Sequence, residues 1–329
     1  MSMPETLPDV TLIAMNLEHD GGPEPTPGVL PERWLRAMRE VLEPRNPDLL
    51  VSTEMTYSQA RPGAAPEVVA AADRRFRTAQ EILGMTGFRA PMGDGRNPTG
   101  AYVRDSVFKV VARHEHPSGF RTPPTNLVLE LDGCPGVPIM TMGVHLSHCS
   151  LRGRRMEADR LTTLADKLKI HRPGHPARAA WILGDFNEYP VPQGELVEPI
   201  DWTAVADVTH RRHRAELLPD GSWRSATYAD ELLHDCGLHD PARWAARRLG
   251  QQEALAGTAG VADPDQGGIR RIDRAYMDPW TIQAVTGVEV IDMTGLSDHH
   301  ALRITLDRAK LIKALRRQIS PLDRWELVK

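Results

Sequence analysis

The chain is poor in the residues that staple or metallate small secreted proteins. Its 329 residues hold three cysteines, Cys134, Cys149 and Cys236, which form neither a closed disulfide set nor a close-spaced metal motif. It also lacks an excess of either charge. Forty basic residues against 44 acidic ones leave a formal charge of -4, so no overall positive field recruits polyanions, although a local arginine patch or a metal ion could supply one. Aromatic residues are 5% of the chain, too few for their pattern to separate stacking from core use. No stretch approaches a membrane-spanning helix. The start, Met1 to Thr6, has no basic segment followed by an apolar one, and a reducing cytoplasm is the expected location. No Walker-type loop, glycine-rich dinucleotide fingerprint or nucleophile elbow occurs, which excludes the common ATPase, dehydrogenase and serine-hydrolase readings.

What the chain does have is loops and short apolar runs. With 26 glycines and 27 prolines among 41% hydrophobic residues, it reads as a loop-rich globular protein large enough for a substantial core. Strands are expected at Val10–Asn16, Asp48–Glu54, Thr99–Val103, Val107–Ala112, Thr125–Leu131, Pro138–Leu146, Trp181–Asn187, Ile272–Met277 and His300–Leu306. Helices are expected at Pro31–Leu42, at Glu67–Leu83 with Val68, Ala72, Phe76, Ala79 and Leu83 on one face, and at Arg154–Leu168 with Met156, Leu161, Leu164 and Leu168 inward. A turn at Pro173–Pro176 precedes the strand at 181. No repeat organises the chain. The expectation is one α/β domain spanning 1–329, with two packed sheets and helices outside. A specificity insertion around 191–268 would include a polar patch at His210–Arg214 and an alanine-rich helical patch at Arg243–Ala256. A basic tail would run over 308–329.

Five regions end apolar runs in acid, amide or imidazole groups: Asn16-Leu17-Glu18, Glu54, His145, Asp185-x-Asn187 and Asp298-His299. An oxygen-rich set selects a hard divalent ion, magnesium or manganese, whereas zinc would gather histidine or cysteine. Glu54 and Asp298 offer charge to such an ion and Asn16 a neutral oxygen. His145 and His299 can donate protons or hydrogen bonds to phosphate oxygens. Asp185 can accept a proton from attacking water while Asn187 holds the phosphate or that water, and Asp273 can orient His299 and favour its protonated form. Taken singly, Asp-x-Asn is a turn, Glu54 a surface acid and Asp273 a salt-bridged strand residue. Their coincidence at successive strand ends points to metal-assisted phosphate ester hydrolysis.

These pieces resemble the endonuclease/exonuclease/phosphatase superfamily, the DNase I-like fold. In order they are Met15-Asn16, Ser52-Thr53-Glu54, Val144-His145-Leu146, Gly184-Asp185-Phe186-Asn187, Arg271-Ile272-Asp273 and Leu296-Ser297-Asp298-His299. The resemblance spans roughly residues 10–307. It implies a four-layer α/β/β/α sandwich of two mixed sheets packed face to face, with the site at one rim. It also implies metal residues Asn16, Glu54 and Asp298, a water- and phosphate-handling pair Asp185 and Asn187, an Asp273–His299 pair, and His145 on the scissile phosphate. Two departures stand out. Glu54 follows Ser-Thr rather than the commoner Gln, and Pro98–Val103 has no acidic partner for His145.

The expected function is therefore a magnesium-dependent (or manganese-dependent) hydrolase of phosphate esters, a phosphodiesterase or nuclease. A small-molecule or lipid phosphomonoesterase is the alternative within the class. A non-catalytic phosphate- or protein-binding module is the alternative outside it. The substrate would be nucleic acid or a small phosphorylated molecule, and the sequence leaves the oligomeric state open.

Overall fold

The apolar run at 179–185 alternates its side chains between two cores. Trp181 and Leu183 enter one, Ala180 and Ile182 the other, as a strand covered on both faces must. The computed structural model describes residues 8–169, 178–192, 194–260 and 264–317. In chain order its strands are β1 (Val10–Asn16), β2 (Leu49–Thr53), β3 (Thr86–Arg89), β4 (Gly100–Val103), β5 (Phe108–His114), β6 (Thr125–Leu131), β7 (Ile139–His145), β8 (Ala179–Asp185), β9 (Ala215–Leu217), β10 (Trp223–Ser225), β11 (Asp273–Met277), β12 (Val285–Ile291) and β13 (Ala301–Leu306). The α-helices are α1 (Glu32–Arg36), α2 (Pro66–Leu83), α3 (Leu151–Lys169), α4 (Val208–Arg214), α5 (Tyr228–Asp235), α6 (Pro241–Trp244) and α7 (Arg308–Leu315).

Six strands form one sheet in the order β12-β13-β1-β2-β4-β3, and five form a second in the order β11-β8-β7-β6-β5. Each is mixed, with one parallel pair at its centre, β1 with β2 and β7 with β8. Leu12, Val51, Leu129, Trp181 and Ile304 fill the space between the sheets. Trp34, Met38, Ala79 and Leu83 cover the outer face of the first sheet, and Leu161, Leu164 and Leu233 that of the second. The result is a four-layer α/β/β/α sandwich. Among the described residues no helix is long and apolar enough to cross a membrane, and none of the three cysteines is in a disulfide.

Several expectations need correction. On α2, Val68 is half exposed and the buried positions are Ala72, Arg75, Ala79 and Leu83. Arg75 takes an apolar position because its guanidinium donates to the Asp20 and Gly22 carbonyls. Met156 is likewise exposed on α3. The inward positions beside it belong to Arg154, which donates to the Ser147 and His213 carbonyls, and to Glu157, which accepts the Arg121 and Ser147 N–H groups. Strands β3 and β12 were not anticipated. β3 is a four-residue edge of half-buried residues, and a bulge between Val285 and Gly287 breaks the alternation of β12. The start of the basic tail is the helix α7, capped by Asp307 and anchored by Leu311 and Leu315. Residues 318–329 and the turn at Pro173–Pro176 lie outside the described residues.

Register brings the chemistry to one rim. In the second sheet His145 is level with Asp185, and Asp185 with Asp273. In the first, Asn16 is level with Thr53, the residue before Glu54. Close approach of the strands depends on glycine at two places. A Cβ on Gly184, whose φ is 140°, would fall 2.0 Å from the Val144 carbonyl oxygen, and one on Gly143 would fall 2.8 Å from Val51 Cγ1 across the sheets.

Candidate functional site

The first sheet contributes oxygen ligands. Asn16 ends β1, and its Nδ2 donates to Glu54 Oε1 at 3.4 Å and to Asp185 Oδ2 at 3.3 Å, while its Oδ1 accepts the Glu18 N–H at 3.0 Å. Glu54 follows β2 with a left-handed backbone, φ 57°, a conformation that non-glycine residues hold only where their surroundings fix it. Here the fixing contacts are the His19 N–H on Oε2 at 2.8 Å and the His19 imidazole at 3.4 Å. Burial raises the Glu54 carboxyl, but His145, the His19 N–H and the His19 ring outweigh it and hold the group below its usual value.

The second sheet contributes Asp185, Asp273 and His145 to an acid–imidazole network, and His299 joins it from the segment entering β13 of the first sheet. His299 Nδ1 lies 2.8 Å from Asp273 Oδ2. Burial disfavours the imidazolium, but Asp273, then Asp185 and Asp298, lift His299 to about 10. Asp185 is buried, yet its carboxyl stays below the usual range because His299, His145, Arg214 and the Asn187 N–H together exceed the desolvation. His145 Nε2 stands 3.6 Å from Asp185 Oδ2 and 3.9 Å from Glu54 Oε1. Its other nitrogen, Nδ1, is buried without a hydrogen-bond partner. Glu54 and Asp185 are the acids within 4 Å of the His145 ring, Glu157 feels its charge as well, and Pro98–Val103 supplies no acid. Asn187, also left-handed with φ 51°, gives its N–H to Asp185 Oδ1 at 2.7 Å and its Nδ2 to the Leu146 carbonyl at 2.9 Å.

Asp298 sits between the two groups. It reaches solvent, and partial burial raises its carboxyl against His299, with Glu18 and Glu54 adding like charge. Ser297 ties this segment to the first sheet by donating from Oγ to the Asn16 carbonyl at 2.8 Å, and its Oγ accepts the His299 N–H at 3.1 Å. All eight residues singled out from the sequence thus meet at one rim.

The rim also holds residues that the motifs did not reveal. His19 reaches Glu54 because three consecutive positive-φ residues, Glu18, His19 and Asp20, fold the chain back. Thr258 Oγ1 accepts the Ile272 and Asp273 N–H groups at 3.1 and 2.9 Å, steadying the start of β11 from a loop with no recognisable pattern. Arg214 donates to the Asn187 carbonyl. It belongs to the patch at 210–214, which is a helix with a buried end rather than a solvated loop. Ser297 was in plain sight inside the Ser-Asp-His motif.

Two groupings could hold a divalent ion. One atom from each of Asp185, Asp273 and His299 lies within 4.8 Å of the others. The second grouping is Asn16, Glu54 and Asp298, which all offer oxygen atoms, with Glu54 close enough to raise the Asp298 carboxyl by like charge. The oxygen chemistry fits a hard cation.

No protein-family model and no curated protein sequence matches the chain. Solved structures do. One is an endonuclease/exonuclease/phosphatase family protein from Bacteroides thetaiotaomicron, 15% identical over 91% of this chain and 97% of that one, with a TM-score of 0.55. A 3′ phosphatase from Neisseria, bound to product DNA hairpin, is 15% identical over 90% and 99%, at 0.54. An AP endonuclease from Archaeoglobus fulgidus is 13% identical over 91% and 99%, at 0.53. The chain shares the fold of these proteins over most of its length.

Proposed function

We propose that the chain is a divalent-metal-dependent hydrolase of phosphate esters, acting on phosphodiesters by attack of water. The observation that carries this reading is the row His145, Asp185, Asp273 on adjacent strands, closed by His299 on one side and faced by Asn16 and Glu54 on the other.

Asn16, Glu54 and Asp298 would hold magnesium or manganese. When bound, such an ion supplies Lewis-acid stabilisation of charge on the phosphate and leaving-group oxygens. The other grouping suits an ion less well, because His299 is held protonated by Asp273 and an imidazolium has no lone pair to give. Asp185, kept ionised, accepts the proton of the attacking water, whose oxygen adds to phosphorus as the bond to the leaving oxygen breaks. Asn187, fixed by its bonds to Asp185 and Leu146, lines the place where that water stands. His299 donates a charged hydrogen bond to a phosphate oxygen, with Asp273 setting its orientation. His145 contacts the phosphate from the opposite side of Asp185.

The test is turnover of bis-p-nitrophenyl phosphate, single- and double-stranded DNA, RNA and phosphomonoesters with magnesium, then with chelator. Hydrolysis of diesters that stops on chelation is the expected result. Binding without turnover of any phosphate ester would mean a non-catalytic module.

A further inference from the structure

Seven arginines are buried among the described residues. Five have a carboxylate partner: Arg75 has Asp20, Arg154 has Glu188, Arg271 has Glu195 and Asp240, Arg274 has Asp230, and Arg308 has Asp132. Arg214 and Arg270 have none, and both lie beside the candidate site. Arg214 ends α4 and donates to the Asn187 carbonyl. Arg270 pairs through its backbone with Ala259, which pairs in turn with His299. Its guanidinium lies on Gly260, where a Cβ would come within 2.6 Å of Nη1, and its Nε is buried without a partner.

The two charges share one neighbourhood, since both act on Tyr189 and on His210. Tyr189, two residues beyond Asn187, is 6% exposed and its hydroxyl has no hydrogen-bond partner. Burial, then the like charges of Arg154 and Arg270, bring Arg214 down to about 10 against the pull of Tyr189 and Asp185. A fold that gives its other buried guanidinium groups an ion-pair partner and leaves two neighbouring ones without incurs a cost that an arriving anion would reduce.

We infer that the substrate carries a second phosphate next to the scissile one, a terminal monoester received by Arg214, Arg270 and the Tyr189 hydroxyl. This rests on the hydrolase reading above. Two guanidinium groups and a hydroxyl offer donors from several sides, which suits a tetrahedral dianion, whereas one bidentate arginine satisfies a carboxylate. Guanidinium groups each under a tenth exposed are reached more readily by a terminal phosphate than by an internal diester, from which ester chains leave on both sides. The scissile bond accordingly lies next to a phosphorylated terminus and not within an unbroken chain.

The probes are thymidine 3′-(p-nitrophenyl phosphate) with and without a 5′-phosphate. The wild-type protein with magnesium should prefer the 5′-phosphorylated diester in kcat/KM by roughly 10–100-fold, the range of one or two charge-assisted hydrogen bonds. Arg270→Gln should collapse that ratio towards one, chiefly through KM, and Arg214→Gln serves if the first variant does not melt cooperatively. A wild-type ratio near one, or a ratio kept by both variants, overturns the inference. A second measurement needs no turnover. In chelator, inorganic phosphate should raise the melting temperature of the wild-type protein and not that of Arg270→Gln, and equal protection of the two overturns the pocket. Failure to hydrolyse either diester while phosphate protection is still lost in the variant would refute the hydrolase reading and leave the anion pocket standing.

Discussion

The two halves of the rim are built on opposite electrostatic plans. On the second-sheet side both acids are answered within the protein: Asp273 holds His299, which arrives from the segment entering β13, and Asp185 is surrounded by His299, His145, Arg214 and the Asn187 N–H. On the first-sheet side Glu54 is held below its usual value by His145 and by the His19 N–H and ring, Glu18 and Glu54 add like charge to the solvent-reaching Asp298, and the Asn16 amide presents its NH₂ edge to Glu54 and Asp185. A self-contained network can orient protons without help. A group of acids that share like charge is one that a cation can complete. On the function proposed above, the difference divides the labour: proton handling on one side, metal binding on the other.

That division can be broken by experiment. The largest effect is expected from Asp185→Asn, which keeps an acceptor for the Asn187 N–H but cannot take a proton. Turnover should fall about 10²–10⁴-fold with an unchanged circular dichroism spectrum, and a variant retaining a tenth of the activity would remove Asp185 from the proton path. Next come Glu54→Gln and His299→Ala, compared by magnesium titration. The first should raise the half-saturating magnesium concentration at least ~10–100-fold, the range that even supporting residues command, while the second lowers kcat and leaves that concentration alone. The reverse pattern would move the ion to Asp185, Asp273 and His299.

Asp273→Asn should cost stability in a pH-dependent way. The folded chain binds the His299 proton more tightly than the unfolded chain, so this contribution is complete below the ordinary value of 6.5 and is lost as pH rises through about 10. Urea denaturation should show the variant less stable by ~3 kcal/mol at pH 7, as for a broken buried ion pair, with the gap narrowing towards pH 10. The smallest effect concerns Asp20, behind the first-sheet half, whose carboxyl burial raises to about 6 against Arg75 and its hydrogen-bond donors. Its folded-state preference for the proton stabilises the protein below the ordinary value of 3.8 and fades as pH rises through about 6. Asp20→Asn should flatten the stability profile across that window by up to about 3 kcal/mol, roughly two pKa units at about 1.4 kcal/mol each.

How much of this was legible in the sequence depended on what each residue does. Asp185, Asp273, His145 and Asn16 end strands that are buried on one or both faces, so their apolar runs announce them and register delivers them to one edge. The positions of Val68 and Met156 were misread because Arg75, Arg154 and Glu157 occupy inward positions and satisfy backbone groups there, which hydrophobic periodicity cannot register. His19 and Thr258 act on the site from loops, where position follows from backbone dihedrals and distant pairing. Arg214 was visible only as a member of the polar patch at His210–Arg214, and nothing in the pattern singled out Arg270. Their distinguishing property is the lack of a carboxylate partner, a fact about three dimensions.

Gly143 gives the division of labour an adjustable dimension. It lies two residues before His145, and Val51 three before Glu54, at a point where the sheets touch so closely that a single methyl would meet Val51 at 2.8 Å. The gap between the sheets there works as a caliper. The strands that meet there, β2 and β7, run on to Glu54 and His145, which stand 3.9 Å apart. Gly143→Ala should widen that separation without replacing any polar side chain, a change made from within the hydrophobic core.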